Sequence, residues 1–390
     1  YPSVGATWSL QEEKWFPWRD QINQFRVRTT YGQAGLRPGT TAALPFFASN
    51  VFRANAADAP GLIFQQLGDR DLRPETVSEW EAGLDLNLFN DRVTLVVNRY
   101  DKRSRDAIIN RVVAPSFGTG TTTQATNLGS VRNWGWEANL FTRLLDRKAF
   151  GADITFNFSQ NNNELVTLGT DAAGNPIPPV IGQLTRQTPG FPLNGFWQRR
   201  YSFADANADG IIVPGELSPD TAITFLGYSV PRNELSTIAG VDLFDRAVRV
   251  QALFDYRADY FIDNGTERFR CDTRNNARER VDPTAPLDRQ ARCAALFLPA
   301  ATRTQIGYLE PGDFLRFREL AVTWRVPAAW AQRVARSRSL TVTASGRNLA
   351  TWTRFTGVDP ETVGPITNVQ DGFQVAPPLS FFTLRVNVGY

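Results

Sequence analysis

Phe382-Thr383-Leu384-Arg385-Val386-Asn387-Val388-Gly389-Tyr390 closes the chain with every second side chain apolar. Successive side chains of an extended strand point to opposite faces, so Phe382, Leu384, Val386, Val388 and Tyr390 share one face while Thr383, Arg385, Asn387 and Gly389 share the other. A soluble edge strand also alternates, so recurrence decides the reading. Upstream, Trp80, Ala82, Leu84, Leu86 and Leu88 oppose Glu79, Glu81, Gly83, Asp85 and Asn87, and the polar turn Asn90-Asp91-Arg92 reverses the chain into Val93, Leu95 and Val97. Trp134, Trp136, Ala138 and Leu140 return near Asp146-Arg147-Lys148 as Ala152, Ile154, Phe156 and Phe158. Leu235, Thr237, Ala239 and Val241 return across Phe244-Asp245-Arg246 as Val248, Val250, Ala252, Phe254 and Tyr256. Large apolar residues on one face, polar or small ones on the other, in hairpins with short turns, is the pattern of a transmembrane β-barrel.

The rest of the chain extends this pattern. Val4, Ala6, Trp8 and Leu10 alternate, as do Phe25 to Gly32. Leu315 to Val326 changes phase between Phe317 and Leu320, which predicts a bulge at Arg318-Glu319. A short helix is expected over Ala328 to Arg336, before Leu340, Val342 and Ala344 open the penultimate strand. The pattern predicts about eleven strands. While one end of each hairpin closes in a few residues, the other opens into segments near 33–75, 101–128, 160–230 and 257–312, rich in Gly, Pro, Asn and Thr. Short turns at one end and long loops at the other belong to outer-membrane barrels. Trp80, Trp134, Trp136, Trp324, Tyr256 and Tyr390, near strand ends, suit the two interfacial girdles. A soluble all-β protein would turn its polar face to solvent, whereas Glu79, Glu81, Asp85, Asn87, Glu137, Asn139, Arg249, Asp255 and Arg385 are a mixture suited to a wet lumen.

Composition excludes several classes. The 390 residues are 42% hydrophobic and 12% aromatic with a mean hydropathy of −0.29, yet hold no apolar run long enough for a spanning helix. A net charge of +3 with dispersed charges gives no case for nucleic acid, although the isoelectric point is about 9.0. His and Met are absent, which removes imidazole triads and His-ligated metals, and no signal peptide is expected within these residues. A mature or truncated segment of a longer product is therefore expected. Cys271 and Cys293 suit a compartment outside the cytosol, either as one disulfide stapling a long loop or as two free thiols.

One motif stands out from the scaffold. Asp205-Ala206-Asn207-Ala208-Asp209-Gly210-Ile211-Ile212-Val213-Pro214-Gly215-Glu216 places oxygen donors at the spacing of a twelve-residue calcium loop: Asp205, Asn207, Asp209, the Ile211 carbonyl and Glu216, with Gly210 at the sharp turn. The competing reading is an ion-free Asp/Asn/Gly-rich turn, since no flanking helices are evident and Pro214 interrupts the approach to Glu216. Any calcium here is structural, ordering an outer loop. No catalytic or organic-cofactor residue is assigned. Glu79 and Glu81 suit hydrogen bonding in a lumen better than acid–base work, and Gly118-Thr119-Gly120 is loop punctuation rather than a phosphate cradle. Phe191, Phe196, Trp197 and Tyr201 are expected as loop core in preference to sugar-stacking platforms.

Leu72-Arg73-Pro74-Glu75-Thr76 with Glu79 to Asp85, and Asn127-Leu128-Gly129-Ser130-Val131-Arg132-Asn133-Trp134-Gly135-Trp136-Glu137, resemble the C-terminal barrel half of SusC/RagA-like TonB-dependent outer-membrane transporters. Phe314 to Leu320, Gly346-Arg347-Asn348-Leu349 and Gly357-Val358-Asp359-Pro360-Glu361 resemble that family's penultimate strands and the loop before its closing strand. The resemblance implies an all-β, antiparallel transmembrane β-barrel, with residues 1–390 forming its C-terminal segment and 160–230 a long extracellular loop region that contains the calcium-like motif. It further implies a non-enzymatic importer in the cell outer membrane, energised through TonB. A SusD-like lipoprotein would cover its mouth, and an oligosaccharide or peptide would be its substrate. Nothing here resembles the family's plug or TonB-contacting segment, and the strands are about half of the roughly 22 such barrels use; truncation at the amino-terminal side is expected, with Tyr390 a genuine terminus. A passive porin, an adhesive barrel, and a soluble carbohydrate-binding β-sandwich are the alternatives.

Overall fold

The alternation quoted above becomes one antiparallel sheet in the computed structural model, which describes residues 1–39, 41–54, 57–112, 123–127, 129–170, 174–273, 277–362 and 371–390; Gly118-Thr119-Gly120 lies outside these. The sheet starts with β1 (Ser3–Ser9) and β2 (Ile22–Leu36), is interrupted by a separate hairpin of β3 (Phe46–Ala54) and β4 (Ala57–Gln66), and resumes with β5 (Glu75–Leu88) and β6 (Val93–Arg105). A second hairpin, β7 (Ile108–Val112) with β8 (Thr123–Asn127), precedes β9 (Ser130–Asp146) and β10 (Gly151–Thr167). Then β11 (Val180–Ile181), β12 (Thr185–Gln187), β13 (Gly195–Phe203) and β14 (Leu217–Gly227) form a small sheet of their own, before β15 (Asn233–Leu243) and β16 (Val248–Ala258). The next connection holds β17 (Phe261–Asp263), α1 (Gly265–Thr273), α2 (Arg278–Val281), α3 (Leu287–Ala294) and β18 (Leu309–Pro311). β19 (Phe314–Val326), α4 (Ala328–Ala335), β20 (Ser339–Thr353) and β21 (Phe381–Gly389) follow.

Eleven strands pair in the order β1-β2-β5-β6-β9-β10-β15-β16-β19-β20-β21, a meander with antiparallel neighbours throughout. This matches the predicted count and the helix over Ala328–Ala335. Among the described residues β1 and β21 do not pair with each other, so the sheet has two edges. Register keeps the faces distinct across every strand. Leu84 lies opposite Val27 and Val97, while Asp85 lies opposite Arg26 and Val96. Leu384 lies opposite Ala344, and Arg385 opposite Thr343.

The short turns show local chemistry that the alternation alone does not reveal. Phe89, Asn90 and Asp91 have φ of 55°, 56° and 59°, and Phe244, Asp245 and Arg246 have 55°, 53° and 65°. Asn and Asp tolerate this left-handed region, whereas a bulky Phe enters it rarely. The first reversal is therefore shifted one residue ahead of the predicted Asn90-Asp91-Arg92, and both turns lead with an exposed Phe. Leu10, predicted to end the first strand, instead opens a 3-10 turn over Leu10–Glu12.

The predicted bulge falls at Arg318. Phe317 pairs with Phe254 and Glu319 with Leu253, leaving Arg318 as the extra residue. Slipping by one residue swaps faces, so the bulge lets Arg316, Arg318 and Glu319 all serve the polar face.

The long connections are built rather than loose. Their own hydrophobic cores sit at that end of the molecule: Ile212, Leu217, Ala291, Ala294, Ala295 and Leu298 in one cluster, and Cys271, Ala277, Cys293, Leu296 and Tyr308 in another. A disulfide joins Cys271 on α1 to Cys293 on α3, 22 residues apart, which decides between the two readings of the cysteine pair. Closing a loop of that size restricts the unfolded insert by about 3 kcal/mol. Replacing both cysteines by Ser should therefore open residues 265–298 to limited proteolysis while the strand ladder stays protected; equal resistance with and without the bond would contradict this.

Candidate functional site

The side chains of the meander's polar face are tied to one another across the strands. Arg26 lies 2.6 Å from Asp85, and Arg28 3.6 Å from the same carboxylate. Asn139 donates to Asn157 at 2.5 Å and Asn157 to Ser236 at 3.2 Å, so amide and hydroxyl groups continue the ladder over three strands. Arg249 bridges Asp153 at 2.8 Å and Asp242 at 3.1 Å. A cavity of about 380 Å³ opens on this wall beside Asn98, Glu137, Asn157, Glu234, Asp255 and Arg257. The predicted inward residues Asp85, Glu137, Asn139, Arg249 and Asp255 thus share one wall. Glu79 forms an ion pair with Lys102 at 3.8 Å on the same wall.

At the end with the long connections this wall meets a charged latch. Arg316 is 1% exposed, and its guanidinium lies 2.5 Å from Asp359 and 3.1 Å from Glu361. Arg318 donates to both oxygens of Glu361 at 2.8 Å and to Asp255 at 2.6 Å. The phrases Phe314 to Leu320 and Gly357 to Glu361, both visible in the sequence, are therefore one structural unit; their pairing was not legible, because it spans 43 residues and depends on the bulge.

A second clip joins the 261–311 insert to the same connection. Asp263 is fully buried, accepts from Arg268 at 3.0 Å through one oxygen, and takes the Gly372 N–H on its backbone carbonyl at 2.9 Å. Its other oxygen has no hydrogen-bond partner, and neither does Asp371 Oδ1. Burial pushes the Asp263 carboxyl up to about 6 against the pull of Arg268, and burial also raises Asp371. Beside them, Asn264 donates to Glu310 and to Thr356 at 3.1 Å each, and the Thr356 N–H donates to Glu310 at 2.6 Å. Sequence reasoning missed this cluster, since isolated Asp and Asn residues in long connections carry no periodic signal.

The calcium-like segment packs against α3. Gly210, at φ +79°, donates its N–H to Asp205 at 3.0 Å; Asp209 accepts from the Ile211 N–H at 2.8 Å; Asn207 and Asp209 contact at 2.8 Å. Glu216 accepts from the N–H groups of Ala206 and Val213, both at 3.0 Å. Gln290 of α3 anchors the turn by accepting from Ile212 at 2.8 Å and donating to the Gly210 carbonyl at 2.9 Å. Among the described residues no three His, Cys, Asp or Glu side chains gather as a ready-made metal cluster. The Asp205 Oδ1 atom, however, is buried without a partner, and the surrounding donors are all oxygen, which suits a hard cation. Phe191, Trp197 and Phe225 pack together with ring centroids 4.6 to 5.5 Å apart, Phe196 is buried and Tyr201 packs on the Ile212–Leu217 core, so these aromatics are loop core as expected.

On the opposite face the strands expose Trp80, Trp136 and Tyr256 at one level and Trp324 and Tyr390 at the other. From Trp80 to Leu88 is roughly 27 Å along the strand, which tilt brings within the apolar band of about 25 Å that such barrels present. Residues 1–349 match the model of the TonB dependent receptor-like beta-barrel family. The chain belongs to that family. It is 24% identical over 441 residues to TonB-dependent receptor P26 of Formosa agariphila, covering 100% of this chain and 42% of that one. It is 26% identical over 248 residues to TonB-dependent receptor SusC of Bacteroides thetaiotaomicron, covering 55% and 24%. A structure of the RagAB peptide importer in its closed-closed state superposes with a TM-score of 0.75 at 19% identity, over 98% of this chain and 42% of the other. The chain thus spans under half the length of these TonB-dependent receptors, and its eleven strands form the C-terminal portion of the family's barrel, with the apolar face toward lipid.

The raised Asp263 carboxyl gives this clip an expected pH dependence. Its folded value lies above the unfolded carboxylate value, so the neutral form stabilises the clip fully below about pH 4 and that stability is lost as pH rises through about 6. Amide exchange at Gly372, corrected for intrinsic rates, should slow on acidification from about pH 7 to pH 5 by the equivalent of roughly 1 kcal/mol. Asp263→Asn should flatten the profile; the same pH dependence in both proteins would remove Asp263 as its cause.

Proposed function

We propose that this TonB-dependent receptor barrel is the wall of an importer in the cell outer membrane. It takes up a bulky nutrient, an oligosaccharide or a peptide, energised through TonB and covered at its mouth by a SusD-like lipoprotein. The observation that carries this reading is the asymmetry of the molecule: a polar wall whose one end carries long connections, two of which share packed cores of their own and one of which is closed by a disulfide. A packed rim offers a lid protein a fixed surface, whereas a simple diffusion pore has no use for one. The likeness to SusC and to the RagAB peptide importer supports the same reading.

Uptake of a fluorescent oligosaccharide or peptide by cells that carry the protein should stop when the proton gradient is collapsed or TonB is deleted. A passive porin would go on admitting the probe, and that outcome would replace the present reading.

Within this function calcium orders the 205–216 loop at the rim. Asp205, Asn207, Asp209, the Ile211 carbonyl and Glu216 supply the oxygens, and the partnerless Asp205 Oδ1 is the position that gains most. Titration calorimetry with calcium should give heat that disappears in Asp205→Ala/Asp209→Ala; no heat from the unaltered protein would leave the segment an ion-free turn.

A further inference from the structure

At the short-turn end, the connection between β19 and β20 carries a helix, α4. β19 runs into Pro327, the helix covers Ala328–Ala335, Arg336 ends it in the left-handed region at φ 48°, and the Arg338 N–H donates to the Gly389 carbonyl of β21 at 2.8 Å. Ala331 is buried toward the barrel. Trp330 and Val334, one turn apart on the helix, are 59% and 74% exposed. The Trp330 ring meets the edge of Trp324, centroids 6.5 Å apart, and Trp324 is an exposed member of the lipid-facing set on β19. The apolar face of the helix is thus continuous with the lipid-facing band.

The polar side of the same segment is charged with one sign. From residue 320 to 358 the chain contains no Asp or Glu. Arg325, Arg347 and Arg354 of that stretch pair with Asp242, Glu319 and Asp313 from elsewhere. Arg333, Arg336 and Arg338 are exposed and make no ion pair among the described residues. A guanidinium is the side chain best matched to a phosphodiester, and a short helix that exposes Trp330 and Val334 with Arg333 beside them, and Arg336 and Arg338 just beyond its end, combines the apolar and cationic groups of a bilayer-interface segment.

We propose that α4 with Arg333, Arg336 and Arg338 is a docking site for phospholipid headgroups of the leaflet at the short-turn end, the phosphate held by the arginines and the acyl chains by Trp330, Val334 and Trp324. This rests on the reading of the barrel as membrane-embedded. Anionic headgroups are favoured, because three unpaired cations meet no carboxylate from their own segment.

Native mass spectrometry of the intact protein, extracted from membranes in mild detergent and supplied with either phosphatidylglycerol or diacylglycerol, tests this. Phosphatidylglycerol adducts should survive activation and diacylglycerol adducts should not. R333Q/R336Q/R338Q should retain about tenfold less phosphatidylglycerol, and R333K/R336K/R338K should recover part of it. Equal retention of the two lipids by the unaltered protein, a comparison that needs no variant, or undiminished retention by the glutamine variant, would overturn the site. Recovery with the outer-membrane fraction and the heat-shifted gel mobility of a folded barrel report on membrane embedding separately, so a failed lipid site and a failed membrane reading give different results.

Discussion

A backbone N–H or C=O in hydrocarbon has no water to turn to, and leaving one unpaired costs several kcal/mol. This constraint organises the whole chain. It demands long strands paired on both sides, which the meander supplies from β2 to β20, and it leaves side chains free to sort by face. Leu384 and Val386 can then stay exposed with no core above them, because lipid takes the place of a second layer. The buried clusters around Ile212–Leu298 and Cys271–Tyr308 accordingly lie in connections outside the main sheet, which pack as a soluble protein does.

What was legible in the sequence follows from that division. Alternation at period two is imposed by the lipid and lumen faces, so Phe382 to Tyr390 and Trp80 to Leu88 declare strand, face and even bulge. Arg318 could be located because one extra residue inverts every later side chain. The insert between β16 and β19 obeys no such rule. Its helices are short and mostly polar, α3 being Leu-Asp-Arg-Gln-Ala-Arg-Cys-Ala, and its fold depends on a disulfide and on the Gln290 side chain reaching the backbone of a loop some 80 residues away. The calcium-like spacing from Asp205 to Glu216 was legible as a motif, but its packing on α3 was not.

The bulge links these two worlds. An unpaired Arg buried as Arg316 is would be severely destabilising, of order 3 to 5 kcal/mol, and the pair is tolerated only because Asp359 and Glu361 reach it together. Without the extra residue at Arg318, the side chains after it would exchange faces and Glu319 would point to lipid. The β20–β21 connection therefore docks where it does because the wall has been locally reset to receive it. Arg318, which also holds Asp255 of β16, extends that docking into the neighbouring strand.

The rim is consequently held by two kinds of contact with different sensitivities. At Arg316 and Arg318 each carboxylate faces a guanidinium, the charges are matched, and displacing the connection means separating buried opposite charges. At Asp263 two carboxylates, Asp263 and Asp371, share a buried region with Arg268, so the ionised state is opposed by desolvation and by like charge. The first contact fixes the connection to the wall through matched buried charges. The second fastens the insert to that connection with a strength that varies. A change in how water reaches Asp263 thus bears on the insert's attachment, whereas the paired charges at Arg316 and Arg318 hold the connection to the wall independently of it.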